Sequence, residues 1–235
     1  VDDAKARMTL WFAAGALGVM VTGGFVVILI GGALAPVLAA SLMLAVAALA
    51  LYGRDIASLS RLRRRRALEL NSRMAAMSLL NLALSATLCT ALAGAGRLSE
   101  HVGAVVFLVA FGWLSGLMLS QMYKIVAFLT WLEVYGPVLG KTSTPRVQDL
   151  VAERPAARWF VIFFGSVWAA TLALMAGSPS IFRIAVLAIA IATCGIASQM
   201  MKSRRLSHVP AALRLPDNTV QPMLLLAATT PTSGR

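Results

Sequence analysis

The sequence has few charged residues and long stretches with none. Only 13% of its 235 residues are charged, about half the share of roughly 25% found in soluble domains, and 59% are hydrophobic. From Met8 to Tyr52 it contains no Asp, Glu, Lys, Arg or His. This composition excludes an ordinary soluble domain and predicts an integral membrane protein.

Cysteine and histidine are too scarce to build common metal or disulfide sites. Cys89 and Cys194 each lie in an apolar run, so we expect free thiols that pack as small apolar residues. His101 and His208 are predicted to lie on opposite sides of the bilayer, where they cannot jointly ligate one haem. We predict no cofactor and no metal; haem held by one histidine and a methionine is the weaker alternative. No Ser/His/Asp or Cys/His set is assembled, so an enzyme is not expected.

Six apolar runs are long enough to cross a bilayer. A single helix from Met8 to Tyr52 would be about 67 Å long, more than twice the hydrocarbon thickness of about 30 Å, so a break is predicted at the GGALAP motif, Gly31 to Pro36. The predicted fold is all-α: a polytopic membrane helical bundle in residues 1–206 and a cytoplasmic tail at 207–235. The six transmembrane helices are predicted at about 8–30, 35–52, 74–96, 102–123 with an extension to 135, 159–176 and 181–201.

The basic residues predict the orientation of these helices. Of the 21 lysines and arginines, all except Arg97 and Arg183 fall in the N-terminus, the second and fourth connections and the C-terminal tail. By the positive-inside rule, both termini are cytoplasmic. We expect a multi-pass protein of a bacterial inner membrane.

A basic segment, Gly53 to Arg73, contains seven arginines. It is either a topology signal that holds this connection on the cytoplasmic side, or a docking strip for anionic lipid head groups or an acidic partner. Nucleic acid is not predicted as a partner, because the basic residues lie in short segments between apolar runs. The candidate contact residues are Arg61, Arg63, Arg64, Arg65 and Arg66.

Lys124 is a charged residue near the end of the fourth apolar run. From His101 to Tyr123 a helix would already cross the full hydrocarbon thickness, so Lys124 is predicted at the cytoplasmic boundary, where its amine can reach the head groups. The helix is expected to continue to Tyr135. Lys124, Trp131 and Tyr135 are therefore candidates for lipid or partner contacts.

Mild polarity inside the spans is concentrated on one face of the third. Ser78, Asn81 and Ser85 recur at helical spacing. The face is a candidate polar groove or cofactor contact; the favoured alternative is hydrogen bonding between helices.

Small residues recur every four positions in the first and last spans. These small-xxx-small series let helix backbones approach closely, within the chain or with another subunit. They comprise Ala14, Gly18 and Thr22 in the first span and Ala190, Cys194 and Ser198 in the sixth.

The segment GLMLSQMYKIVAFLTWLEVYGPVLGK, with the later PRVQDL, resembles a segment of bacterial membrane proteins related to the catalytic subunit of the haem-copper oxidases. The resemblance covers about 30 residues, and Ala127 stands where proline is common. It implies a shortened, non-catalytic relative, because the oxidase subunit has about twelve spans and several intramembrane histidines that this chain lacks. The fitting residues are Tyr123, Lys124, Ile125, Val126, Phe128, Leu129, Trp131, Tyr135 and Gly136.

The leading functional hypothesis is a non-enzymatic accessory or scaffold subunit of a larger membrane complex, respiratory or redox in kind. Its predicted partners are membrane lipids, including anionic head groups, and other membrane subunits or further copies of itself. The spans lack the intramembrane charges typical of proton relays and ion-coupled transporters. The alternative is a small transporter or channel for a neutral or apolar solute. A lipid-modifying enzyme is third, without a nucleophile or metal site to support it.

Overall fold

The computed structural model describes residues 3–33, 35–61, 69–140, 144–210 and 213. Across these ranges the chain is helical and has no strand, which confirms the predicted all-α class. Six helices of the described chain are long and apolar enough to cross a membrane, so the protein is a multi-pass integral membrane protein. We term them spans one to six: Ala6–Leu29, Ala35–Ser58, Leu70–Gly94, Leu98–Val138, Glu153–Met175 and Pro179–Arg204.

These spans are built from α-helices numbered in chain order. Two of the spans each contain two α-helices joined by a π-helical segment. Span one comprises α1 (Asp3–Gly18), a π segment (Val19–Gly23) and α2 (Gly24–Leu29). Span four comprises α5 (Leu98–Phe107), a π segment (Leu108–Ser115), α6 (Gly116–Tyr135) and a 3-10 turn (Gly136–Val138). The others are α3 (Ala35–Arg61), α4 (Leu70–Gly94), α7 (Glu153–Met175) and α8 (Pro179–Arg204).

Several helices extend beyond the charge-free runs of the sequence. Helix α3 continues past Tyr52 to Arg61, and α7 begins at Glu153, before the apolar run that starts at Trp159. Backbone hydrogen bonding does not stop where the apolar side chains stop, because polar side chains at a helix end can reach water or head groups. Apolar runs therefore locate the spans but underestimate the lengths of the helices.

Glycine ends three of the spans. Gly31, Gly96 and Gly177 have positive φ angles of 66°, 69° and 64°, a backbone conformation that glycine adopts without steric cost. At Gly96, for example, the following residue, Arg97, donates its backbone N–H to the Leu92 carbonyl at 2.9 Å. This Schellman motif satisfies carbonyls at the helix end and reverses the chain into the next span.

Helix α8 ends in the same motif with leucine in the glycine position. Leu206 has a φ of 52°, and its N–H donates to the Ser203 carbonyl at 3.0 Å. The N–H of Ser207 donates to the Lys202 carbonyl at 3.1 Å. A left-handed conformation costs an L-residue other than glycine about 1–2 kcal/mol, so other contacts must hold Leu206 in place.

The chain divides into two compact units. Unit 1 contains Val1–Glu69 and Leu79–Trp113, and unit 2 contains Leu70–Ser78 and Leu114–Arg235. In unit 1, α1 packs along α3; in unit 2, α8 packs along α7 and against α6.

Unit 2 has a small apolar core beyond its long helices, which we call the cap. Tyr135 and Leu150 lie at its centre and are 1% and 0% exposed. It gathers the end of α6, the 3-10 turn Val147–Leu150 and the chain that follows α8. Of the predicted tail at 207–235, residues 207–210 and 213 are described, and the rest lies outside the described residues. The cap comprises Trp131, Val134, Tyr135, Val138, Leu150, Leu206, Val209 and Leu213.

Candidate functional site

The polar face predicted on span three is buried inside the protein. Ser78, Asn81 and Ser85 are 0%, 1% and 2% exposed. The Ser78 hydroxyl donates to the Met74 carbonyl at 3.1 Å, and the Ser85 hydroxyl donates to the Leu82 carbonyl at 2.8 Å. Both hydroxyls are therefore satisfied by the backbone of their own helix, as is common for serine in helices.

Asn81 is the residue of this face whose side chain forms a hydrogen bond to another span. Its amide Nδ2 donates to the carbonyl of Gly112 in span four at 3.3 Å, within unit 1. A Cβ atom at position 112 would lie 3.2 Å from the Asn81 Cβ and 3.0 Å from the Leu108 Cδ1. The missing side chain of Gly112 thus lets the two helices approach closely.

Gly116 has the corresponding position in unit 2. A Cβ atom there would lie 2.8 Å from the Ser78 Oγ and 2.7 Å from a ring carbon of Phe164. Four residues on, Ser120 is fully buried. Sequence reasoning missed this series of small residues at positions 112, 116 and 120, although its four-residue spacing is readable in GWLSGLMLS. Of the three polar side chains, Asn81 therefore bonds to another span, whereas Ser78 and Ser85 bond within their own helix.

The two aromatic residues proposed as lipid or partner contacts hold the cap together. The Trp131 indole Nε1 donates to the Pro145 carbonyl at 2.7 Å. The buried Tyr135 hydroxyl donates to the Leu213 carbonyl at 3.2 Å. Lys124, by contrast, is exposed on α6.

The candidate arginines of the basic segment cannot be placed against a partner. Arg61 is the last residue of α3, and its side chain is not described. Arg63, Arg64, Arg65 and Arg66 lie outside the described residues. Their contact with anionic lipid or an acidic partner stays a prediction.

A buried arginine in unit 2 was not anticipated from the sequence. The Arg204 side chain is 9% exposed, and its Nη1 donates to the Thr130 hydroxyl at 3.0 Å and to the Glu133 carboxylate at 2.9 Å. In the sequence, Arg204 is one of several basic residues after span six and indicates only topology. The acceptors on α6 lie far away along the chain, so no local pattern predicts the pairing.

The two small-residue series of spans one and six are not used for packing within the described chain. Every member of both series is exposed. A Cβ atom on Gly18 would meet nothing within 4 Å. Span six contacts α7 through a different face, on which the position of a Gly195 Cβ is taken by the indole ring of Trp159.

Unit 1 also contains two apolar cavities. The larger, about 720 Å³, is lined by residues of spans one to four that include Met20, Leu38, Cys89 and Leu98. The smaller, about 400 Å³, includes Trp113 in its lining. The indole N–H of Trp113 is buried and has no hydrogen-bond partner among the described residues.

The described part of the chain has no group of three His, Cys, Asp or Glu side chains arranged to hold a metal ion. Both cysteines are free thiols. Comparisons of the chain with protein-family models, with curated proteins and with solved structures found no match.

Proposed function

We propose that this protein is a non-enzymatic accessory subunit that binds other membrane subunits through its exposed small-residue faces. The observation that carries the proposal is the exposure of both faces: Ala14, Gly18 and Thr22 on span one, and Ala190, Cys194 and Ser198 on span six.

Helix association in a bilayer needs close backbone approach, because burying apolar side chains gains little when lipid tails are the alternative. Within this chain, neighbouring side chains occupy the space beside Gly112, Gly116 and Gly195 that a Cβ atom would need. The two exposed faces are also lined by small residues, but no helix of the described chain packs against them. A helix from another subunit fits both.

The low burial of the first helix pair supports the same proposal. In an apolar 18-residue stretch of each span, the share of residues buried inside the protein is 6% in span one and 11% in span two, compared with 39% in span five. Spans one and two therefore leave most of their surface to be covered by lipid or by a partner helix.

The kind of assembly is inferred from the sequence. The resemblance of the segment around Tyr123 to Gly136 favours a respiratory or redox complex. The positive-inside pattern favours a bacterial inner membrane with both termini in the cytoplasm. In this orientation the cap of unit 2 lies on the cytoplasmic side.

Extraction in mild detergent tests the proposal. The native particle should contain other polypeptides in fixed stoichiometry with this chain, as read by native mass spectrometry and peptide identification. A particle made only of this chain would contradict it.

A second candidate, a carrier for an apolar solute, is favoured by the larger cavity of unit 1. Its volume of about 720 Å³ falls within the range of roughly 300–1,000 Å³ typical of small-molecule sites. Ala45 lines both cavities. If the protein is a carrier, Ala45→Phe should reduce uptake of an apolar solute into vesicles while the particle mass stays unchanged. Equal uptake with vesicles that lack the protein would exclude the carrier function.

A further inference from the structure

The larger cavity of unit 1 is apolar and open to the surroundings. Three of the residues that line it, Leu17, Met20 and Leu38, are 66%, 46% and 39% exposed. None of its described lining residues is charged. The Ser41 hydroxyl in the lining donates to the Leu38 carbonyl at 3.0 Å, so it is satisfied by its own helix. The cavity therefore suits an apolar group that enters from the bilayer.

The cavity extends over about half of the bilayer thickness. On α3 its lining begins at Ala35, the first residue of the helix, and runs to Ala45, which is a rise of about 15 Å. On span three the lining runs from Cys89 to Gly96, just past the end of that span. Because the hydrocarbon core is about 30 Å thick, this depth corresponds to the acyl chains of one leaflet.

A helix of another subunit is too wide for this cavity. A helix with its side chains is about 10 Å across, so a 15 Å length of it occupies about 1,200 Å³, compared with about 720 Å³ for the cavity. An acyl chain is flexible and only one methylene group wide, so it can follow the space between the spans. The size of the cavity therefore favours lipid chains over a protein helix.

Polar groups lie at the end of the cavity that is level with the end of the spans. Ser99 belongs to the lining, and Arg97 lies between Gly96 and Leu98, which also belong to it. The Arg97 Nε donates to the Glu100 carboxylate at 3.1 Å, and both side chains are exposed. These groups can form hydrogen bonds with a head group. Because Arg97 is paired with Glu100, this end selects weakly for head-group charge, and the acyl chains supply most of the recognition.

The cavity separates two parts of unit 1. Helix α1 packs along α3, but neither forms a comparably extensive contact with α4 or α5 in the described chain. We infer that the acyl chains of one phospholipid occupy this cavity and join the pair α1 and α3 to spans three and four. The inference goes beyond the accessory role and does not rest on it, because Ala14, Gly18 and Thr22 are not part of the lining.

The test fills the cavity from opposite walls with Ala39→Phe on α3 and Ala93→Phe on α4. Ala50→Phe is the matched control, since Ala50 is exposed on α3 and lines neither cavity. Native mass spectrometry of the full chain in mild detergent should find one phospholipid on the wild type and on the control. The two cavity variants should retain about tenfold less, because the ring overpacks the space of the chains.

Thermal unfolding separates loss of lipid from loss of fold. After lipid is removed by detergent exchange, both cavity variants should unfold at the wild-type temperature or above it, because the ring fills empty volume. Added dioleoyl phosphatidylcholine should raise the unfolding temperature of the lipid-free wild type and control. Dihexanoyl phosphatidylcholine should not, because its chains are too short to fill the cavity.

Three results would overturn the inference: equal phospholipid retention by the cavity variants and the control, no phospholipid on the wild type, or a bound apolar molecule that contains no phosphate. The last result would favour the carrier function instead. The same spectra show separately whether other polypeptides accompany the chain, so failure of the lipid site and failure of the accessory role are distinguishable.

Discussion

The side-chain amide of Asn81 donates a hydrogen bond to the Gly112 carbonyl at 3.3 Å, and thereby joins span three to span four. A polar residue in the middle of an apolar helix would suggest a solute path if its amide faced a channel. Here Asn81 is 1% exposed, and its amide is bonded to the neighbouring helix. The contact identifies a packing role for the most polar position of span three.

Gly116→Ala should destabilise the protein by about 1–3 kcal/mol, because the added methyl group overpacks the contact with Ser78 and Phe164. Gly165→Ala is the matched control, since a Cβ atom there meets nothing within 4 Å. The control shares the gain in helix propensity, so the difference between the variants reports the clash. Unfolding in detergent measures it, and equal stabilities would refute the close packing at position 116.

Arg204→Gln should cost about 1.5–3 kcal/mol, because it removes charge-assisted hydrogen bonds to Thr130 and Glu133 from a largely buried side chain. Glu133→Gln should cost less, about 0–1 kcal/mol, because Glu133 is partly exposed and an amide oxygen can still accept the bond. Chemical unfolding of both variants tests the order. A larger loss for the glutamate variant would show that the pairing is not the main role of Arg204.

Leu206→Gly should be more stable than Leu206→Ala by about 1 kcal/mol, although both lose the packing of the leucine side chain in the cap. Alanine retains the steric cost of the left-handed backbone at a φ of 52°, and glycine does not. Thermal unfolding of the two variants is sufficient. If alanine is equal or better, the turn at the end of α8 has a different backbone from the one described.

The sequence predicts the number of spans well because apolar length is a local property that a window of residues contains in full. The cap could not be predicted in this way, since it joins Trp131 to Pro145 and Tyr135 to Leu213 across long stretches of chain. The residue types and the membrane level of Trp131 and Tyr135 predict lipid or partner contact, but they say nothing of the acceptors that these side chains bind. For Arg204, likewise, the sequence indicates only a positive charge near the end of span six.

The four-residue spacing of Gly112 and Gly116 was visible in the sequence, but it could not be distinguished from the series at Gly18 by pattern alone. The structure distinguishes them, because side chains surround Gly112 and Gly116, whereas Gly18 is open. Spacing predicts that a helix can be approached closely; it does not predict which helix does so.

Gly18→Leu and Cys194→Leu should each reduce the fraction of the chain recovered in the larger assembly, because a bulky side chain keeps a partner helix away from the exposed face. Gly165→Leu should leave recovery unchanged, since this glycine is also exposed but lies outside both small-residue series. Native gels of detergent extracts give the fraction. Monomer stability should stay near the wild-type value in all three, so unfolding is measured in parallel.

The central claim is that the small-residue face of span one contacts a helix of another subunit, and crosslinking from that face tests it most directly. A photoreactive residue placed at Gly18 in the native membrane should give a covalent product with a different polypeptide, identified by mass spectrometry. The same residue at Gly165 should not give this product. If position 18 links only to lipid or to another copy of this chain, the protein is not an accessory subunit bound through this face.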